Sequence, residues 1–233
     1  MLLSTPGLVL HTTPYAESSV VAKVFTRQLG LRSYIIKGVR GRSGRVKQNL
    51  LQPLTSLDMV VYDNPRSDLN YTKELSSRHP GAPSDPVGNS LRFFMTEVLY
   101  KVLREAEPMP ALWDYVENEQ WRSDGTETRD VPIRFMLAVA TFMGIEPLDN
   151  HSLRESWFDL QEGRFVGAAT ETTLSPNLSS LLHAYLSSRD PHPYAHSAKL
   201  RGDLLDALIA YFQLHLSGFS HFHSHEILHT ILK

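Results

Sequence analysis

The chain contains no cysteine, which excludes disulfide bonds and any thiolate metal site and agrees with a reducing compartment. It has no apolar run near the roughly 20 residues needed to cross a bilayer. The longest is Phe135 to Ile145, and Met1-Leu2-Leu3 is too short for a signal sequence. A cytoplasmic protein without membrane contact is therefore expected. Also missing are a phosphate-binding glycine loop, a GxSxG elbow and an acidic pair in catalytic context, so no catalytic residue and no cofactor is expected. One further absence is local: from Ser18 to Leu57 there is no Asp or Glu.

What fills that acid-free stretch is positive charge. Lys23, Arg27, Arg32, Lys37, Arg40, Arg42, Arg45 and Lys47 are eight of the 23 Lys and Arg in the chain. The remaining 193 residues carry 15 positive charges (23 less 8) and 25 negative ones, so a net charge of -2 divides into +8 and -10. A basic field concentrated in one segment suits a polyanion, because Lys and Arg displace the counterions condensed on phosphates. The plainer alternative is a solvated charged face. Against it stand the lack of local acids and the glycines Gly38, Gly41 and Gly44, which leave Gly38 to Lys47 free to approach a backbone. Tyr15, Phe25 and Tyr34 lie among these charges and could stack unpaired bases, with one or two of them, Phe25 first, belonging to a core.

The periodicity divides the chain. Leu8 to His11, Val20 to Thr26, Leu31 to Lys37, Leu54 to Tyr62 and Leu69 to Leu75 read as five short strands, the second and third forming a hairpin around Gln28 to Gly30. Five strands in so short a region predict a small closed barrel, which removes the exposed edges. Ser76 to Pro86, rich in proline and serine, reads as a boundary, giving a nucleic-acid-binding domain at 1–78 and a helical domain at 79–233. Helices are predicted from Pro86 through Leu103, from Pro110 to Trp121, from Asp130 to Met143, from Pro176 to about Leu186 and across Leu200 to Leu216, with a short last one capped by Ser224. A hairpin-like segment, 157–166, interrupts them around Glu162-Gly163.

His225, Glu226 and His229 spell HExxH, the spacing in which two histidines one helical turn apart hold zinc and the glutamate acts as base. This is the alternative reading, a metal-dependent hydrolase. It lacks a downstream third ligand, since Lys233 ends the sequence, and Ile227, Leu228, Ile231 and Leu232 mark a packing helix instead. A third reading is a scaffold whose basic loop docks an acidic protein tail.

Tyr15-Ala16-Glu17-Ser18-Ser19, Phe25-Thr26-Arg27, Gly30 and Lys37-Gly38-Val39-Arg40, followed by Leu51-Gln52-Pro53-Leu54, resemble the amino-terminal signature of the RecO family of bacterial recombination mediators. The resemblance implies an oligonucleotide/oligosaccharide-binding (OB) barrel followed by a helical domain. It implies binding of single- and double-stranded DNA, annealing of strands coated by single-strand-binding protein, whose acidic tail the family can engage, and help in loading RecA together with RecR. On this reading Lys23, Arg27, Arg32, Lys37, Arg40, Arg42, Arg45 and Lys47 hold phosphates and Tyr34 stacks a base. Many members of the family carry a four-cysteine zinc site in the helical domain, about where Trp157 to Val166 stands here. Packing of Trp157, Phe158, Leu160, Phe165 and Val166 is expected to replace it. Purified protein should accordingly hold no stoichiometric, chelator-sensitive zinc, which atomic absorption checks.

Overall fold

The computed structural model describes residues 1–39, 48–79, 85–104, 107–119, 129–187 and 196–231. Its first five strands are β1 (Leu2–Tyr15), β2 (Ser19–Thr26), β3 (Gly30–Ile36), β4 (Ser56–Tyr62) and β5 (Leu69–Ser77), with a 3-10 turn at Gln48–Leu51 before β4. They close into the expected barrel, in the order β1-β2-β3-β5-β4. All neighbours are antiparallel except β3 and β5, which run parallel where Ser33 to Ile35 face Leu69 to Tyr71.

The first strand is much longer than the apolar run at Leu8 suggests. Leu2 to Leu8 pair with β4 and Gly7 to Tyr15 pair with β2, so a single strand seals the barrel on both sides. A register shift between Val9 and His11 supplies the bend that this double pairing needs. At the changeover stands Gly7, where an added Cβ would lie 2.5 Å from Val24 Cγ1 and 2.9 Å from Met59 Sδ. Any larger residue would push the strand off the core. Inside, the inward half of each alternation meets: Val20, Ala22 and Val24 from β2, Tyr34 and Ile36 from β3, and Leu57, Met59 and Val61 from β4.

Two helices follow. In α1 (Pro86–Val102) Asp85 accepts a hydrogen bond from the Gly88 amide at 2.9 Å, the cap its sequence announces, and Leu91, Phe94, Met95, Val98, Leu99 and Val102 are buried. In α2 (Pro110–Glu119) the buried side chains include Leu112, Trp113 and Val116. By compactness the chain groups into Met1–Arg122, which takes both helices with the barrel, and Ser123–Lys233.

The second unit contains α3 (Val131–Phe142), β6 (Trp157–Asp159), β7 (Arg164–Val166), α4 (Pro176–Ser187), α5 (Ala198–His215) and α6 (Ser224–Ile231). Phe135, Met136, Val139, Leu182, Leu204, Leu208 and Phe212 are buried in it. Asp130, which could have capped α3, makes no cap and instead accepts from the Tyr185 hydroxyl at 2.8 Å. Among the described residues no helix is long and apolar enough to cross a membrane.

The small hairpin β6–β7 is pinned from within by Phe158 and Phe165, whose rings meet edge to face at 5.1 Å. Trp157, Leu160 and Val166, expected to share that packing, are only half-buried. Polar bonds complete the job. Burial alone would push the Asp159 carboxyl up, yet it lies below the usual carboxylate range because it accepts from the Thr172 and Thr170 hydroxyls at 2.6 and 3.0 Å and from the Glu162 and Gln161 amides at 2.9 and 2.8 Å. Asn150 brackets Phe165, accepting from its amide at 2.8 Å and donating to its carbonyl at 2.9 Å. Phe165→Ala should lower stability by about 3–5 kcal/mol, the usual loss for a fully buried phenylalanine, read as a shift in urea midpoint.

Candidate nucleic-acid interface

The hairpin β2–β3 and the residues just beyond it carry the sequence-predicted cations, and the structure separates them by what covers each. Lys23, on β2 opposite Ser33, is half-buried, with Nζ 5.6 Å from the centre of the Tyr100 ring on α1. Arg27, one residue past β2, grips Asp114 of α2 with Nε at 2.7 Å and Nη2 at 2.8 Å. This two-pronged bond raises the Arg27 pKa and holds the Asp114 carboxyl below its ordinary value. The arginine is already partnered before any ligand arrives. Arg32, opposite Val24, is half-buried as well, and its Nε is buried without a hydrogen-bond partner among the described residues.

Tyr34 requires a correction. Its side chain is fully buried in the barrel interior, and burial pushes its hydroxyl pKa up, with the nearby Asp63 charge adding to the effect. A ring in that place cannot stack a base. Phe25 is equally buried, as expected of it, while Tyr15 stays exposed at the end of β1. The period-two pattern could not distinguish the face of β3 that fills the barrel from its outer face, because both are covered: Leu31, Ser33 and Ile35 are buried too.

The cover over this side of the barrel comes from the first unit's own helices. Trp113 Nε1 of α2 donates to the Phe25 carbonyl at 3.0 Å. Gly30, at φ 70°, comes so close to the Glu107 backbone that an added Cβ would lie 2.3 Å from its carbonyl oxygen. His11 of β1 lies with its ring centre 5.4 Å from that of Tyr100. Helix packing thus occupies much of the hairpin wall.

Lys37 stands apart. It follows β3 directly, is exposed, and places Nζ 5.1 Å from the Tyr71 ring of β5. The chain beyond it carries Arg40, Arg42, Arg45 and Lys47, which lie outside the described residues, as does the body of the Gly38 to Lys47 loop. Its ends are held: Val39 N donates to Ser18 O at 2.8 Å, and Gln48 enters the 3-10 turn. Of the described candidate cations, Lys37 alone is exposed.

The terminal HExxH segment forms the expected helix, α6, though Ile227, read as a packing residue, is half exposed. Leu228 is buried in it, the His225 ring stacks on Phe222 at 5.6 Å, Glu226 is exposed, and the side chain of His229 lies outside the described residues. No group of three or more His, Cys, Asp or Glu suited to a metal ion is present among the described residues. A four-thiolate zinc centre does not fit the second unit either, since the chain has no cysteine and the Asp159 carboxylate is committed to four donors.

A second feature, unmarked in the sequence, is a cavity of about 340 Å³ in the second unit. Arg129, Lys199 and Arg201 supply its basic lining and Ile133, Leu205 and Leu228 its apolar part. Asp203 also lines it, bound to Lys199 at 2.6 Å.

Comparison with known proteins adds a family to this geometry. The family model described as "Recombination protein O N terminal" matches residues 1–80. Along 99% of its length the chain is 31% identical to a DNA repair protein RecO of Porphyromonas gingivalis, of which 99% is covered. It is 28% identical to one from Phocaeicola vulgatus, with 98% of each chain covered, and 26% identical to one from Christiangramia forsetii, with 99% of each covered. If Lys37 holds a phosphate, Lys37→Ala should weaken DNA binding and lower the salt slope by about one unit. Arg27→Ala, whose side chain is committed to Asp114, should change both by less than half as much; fluorescence anisotropy over a salt series measures both.

Proposed function

The chain belongs to the RecO family, and from that premise we propose that it works in DNA repair and homologous recombination as a non-enzymatic mediator. Full-length similarity to DNA repair proteins carries this reading. It binds single- and double-stranded DNA by the barrel domain, residues 1–78, with Lys37, Arg40, Arg42, Arg45 and Lys47 on phosphates and with Lys23, Arg27 and Arg32 contributing mainly their field. Annealing then needs no nucleotide hydrolysis. A basic surface that screens two polyanionic strands lowers their repulsion, and base pairing reads the sequence.

The helical domain, residues 79–233, supplies partner surfaces. In this reading the cavity lined by the exposed Arg129 and Lys199, by Arg201, whose Nε lies 3.8 Å from Asp130, and by the buried Ile133, Leu205 and Leu228 receives the acidic tail of single-strand-binding protein. Release of that protein from the strand, and loading of RecA together with RecR, follow as later steps.

Fluorescence-monitored annealing of complementary oligonucleotides, bare and coated with single-strand-binding protein, tests the proposal. The protein should accelerate both reactions. Replacing Arg40, Arg42 and Arg45 together by Ala should remove most of the acceleration and flatten the salt dependence of binding by about two to three units, near one per phosphate released. No acceleration by the unaltered protein would overturn the annealing role.

A further inference from the structure

Tyr62 ends β4 and faces Tyr71 of β5 directly across the antiparallel pair. Both point out of the barrel, since Met59 and Val61 of β4 belong to the core, and both are about half exposed, at 51% and 46%. Residues so placed have Cβ atoms roughly 5 Å apart, which lets two rings present one continuous surface. Leu2 of β1, 47% exposed, faces Tyr62 from the other side and extends the patch.

Cross-strand tyrosines often do no more than stabilise a sheet. Here the patch also has a cation and a position. Lys37 Nζ lies 5.1 Å from the Tyr71 ring, and the chain that leaves the barrel just after Lys37 carries Arg40, Arg42, Arg45 and Lys47. The carboxylate next along β5, Glu74, is bound to Lys73 at 3.4 Å. The loop between β4 and β5 carries two acids and one base: Arg66 and Asp68 are exposed, and Asp63 is buried. A tyrosine pair with an exposed lysine over one ring matches a nucleotide's two halves: the rings suit a flat base, and the lysine, turning from the ring, a negative phosphate.

Resting on the DNA-binding reading above, we propose that Tyr62 and Tyr71 form a stacking platform for unpaired bases, with the phosphate of the same strand on Lys37. The platform distinguishes single strands from duplex by chemistry: bases stacked inside a duplex offer no free face to the rings. Pairing therefore draws the bases off the tyrosines, and a finished duplex keeps only its phosphate contacts. That gives an annealing protein a way to hold its substrate strands more firmly than its product.

Binding to a thymidine oligonucleotide, to an abasic oligonucleotide of the same length and to a duplex tests this, with the full chain and the variants Tyr62→Ala, Tyr71→Ala, their double and Tyr71→Trp. Each alanine variant should lose about fivefold or more in affinity for the thymidine strand, with an unchanged salt slope and unchanged affinity for the abasic strand and the duplex. Tyr71→Trp should restore binding. Photo-crosslinking of a strand containing 5-iododeoxyuridine should map to Tyr62 or Tyr71, independently of any variant's folding. Equal losses on all three ligands, no loss on the thymidine strand, crosslinks elsewhere, or loss of a protein partner with DNA binding intact would overturn the platform. If the unaltered protein binds none of the three ligands, the DNA-binding reading itself fails, and the platform with it.

Discussion

The architecture of the first unit depends on one strand serving two neighbours. β1 pairs along its first half with β4 and along its second half with β2; the chain bends at the register shift between Val9 and His11, and Gly7 fits where Val24 and Met59 leave no room for a side chain. Closure sets every later position. It brings β5 beside β3, so that Lys37 reaches the Tyr71 ring, and it sets Leu2 of the distant β1 beside Tyr62 and Tyr71 of the consecutive strands β4 and β5.

Closure also decides which cations can meet a ligand. A charge run counted along the chain treats Lys23, Arg27, Arg32 and Lys37 alike, whereas the fold sets Lys23 against Tyr100, binds Arg27 to Asp114 and half-buries Arg32. The acids and aromatics that engage the first two come from α1 and α2, some 80 residues downstream, as the separation of 87 between Arg27 and Asp114 shows. The acid-free stretch is therefore free of acids only in sequence. In space a carboxylate from another element has entered it.

In the second unit a hydrogen-bonded carboxylate does what packing alone was expected to do. Burying a charge costs free energy unless hydrogen bonds offset it, and Asp159 gathers two hydroxyls and two amides around itself. Thr170 and Thr172 thereby tie the following loop to the hairpin, while Phe158 and Phe165 fill its interior. Aromatic residues in the segment announced the packing. Nothing in the spacing of Asp159, Thr170 and Thr172 announced the bonds, because they join positions with no shared period.

Much of the fold was legible because its causes are local. Alternation in Val20 to Thr26 and in Leu31 to Lys37 states a strand, the recurrence of Leu91, Phe94, Met95 and Val98 states a helix, and Asp85 before Pro86 states where that helix starts. The sequence by itself determined the element types, the change from strand to helix, the basic segment and the absence of thiolate chemistry. Tertiary structure decided the rest: that β1 runs on to pair twice, that Tyr34 fills the barrel while Tyr62 and Tyr71 face out, and that Lys37 stays exposed while Arg27 is bound. The physical reason is range. A side chain's period follows from its nearest neighbours along the backbone, but its exposure and its partners follow from elements that arrive only when the barrel closes and its helices pack.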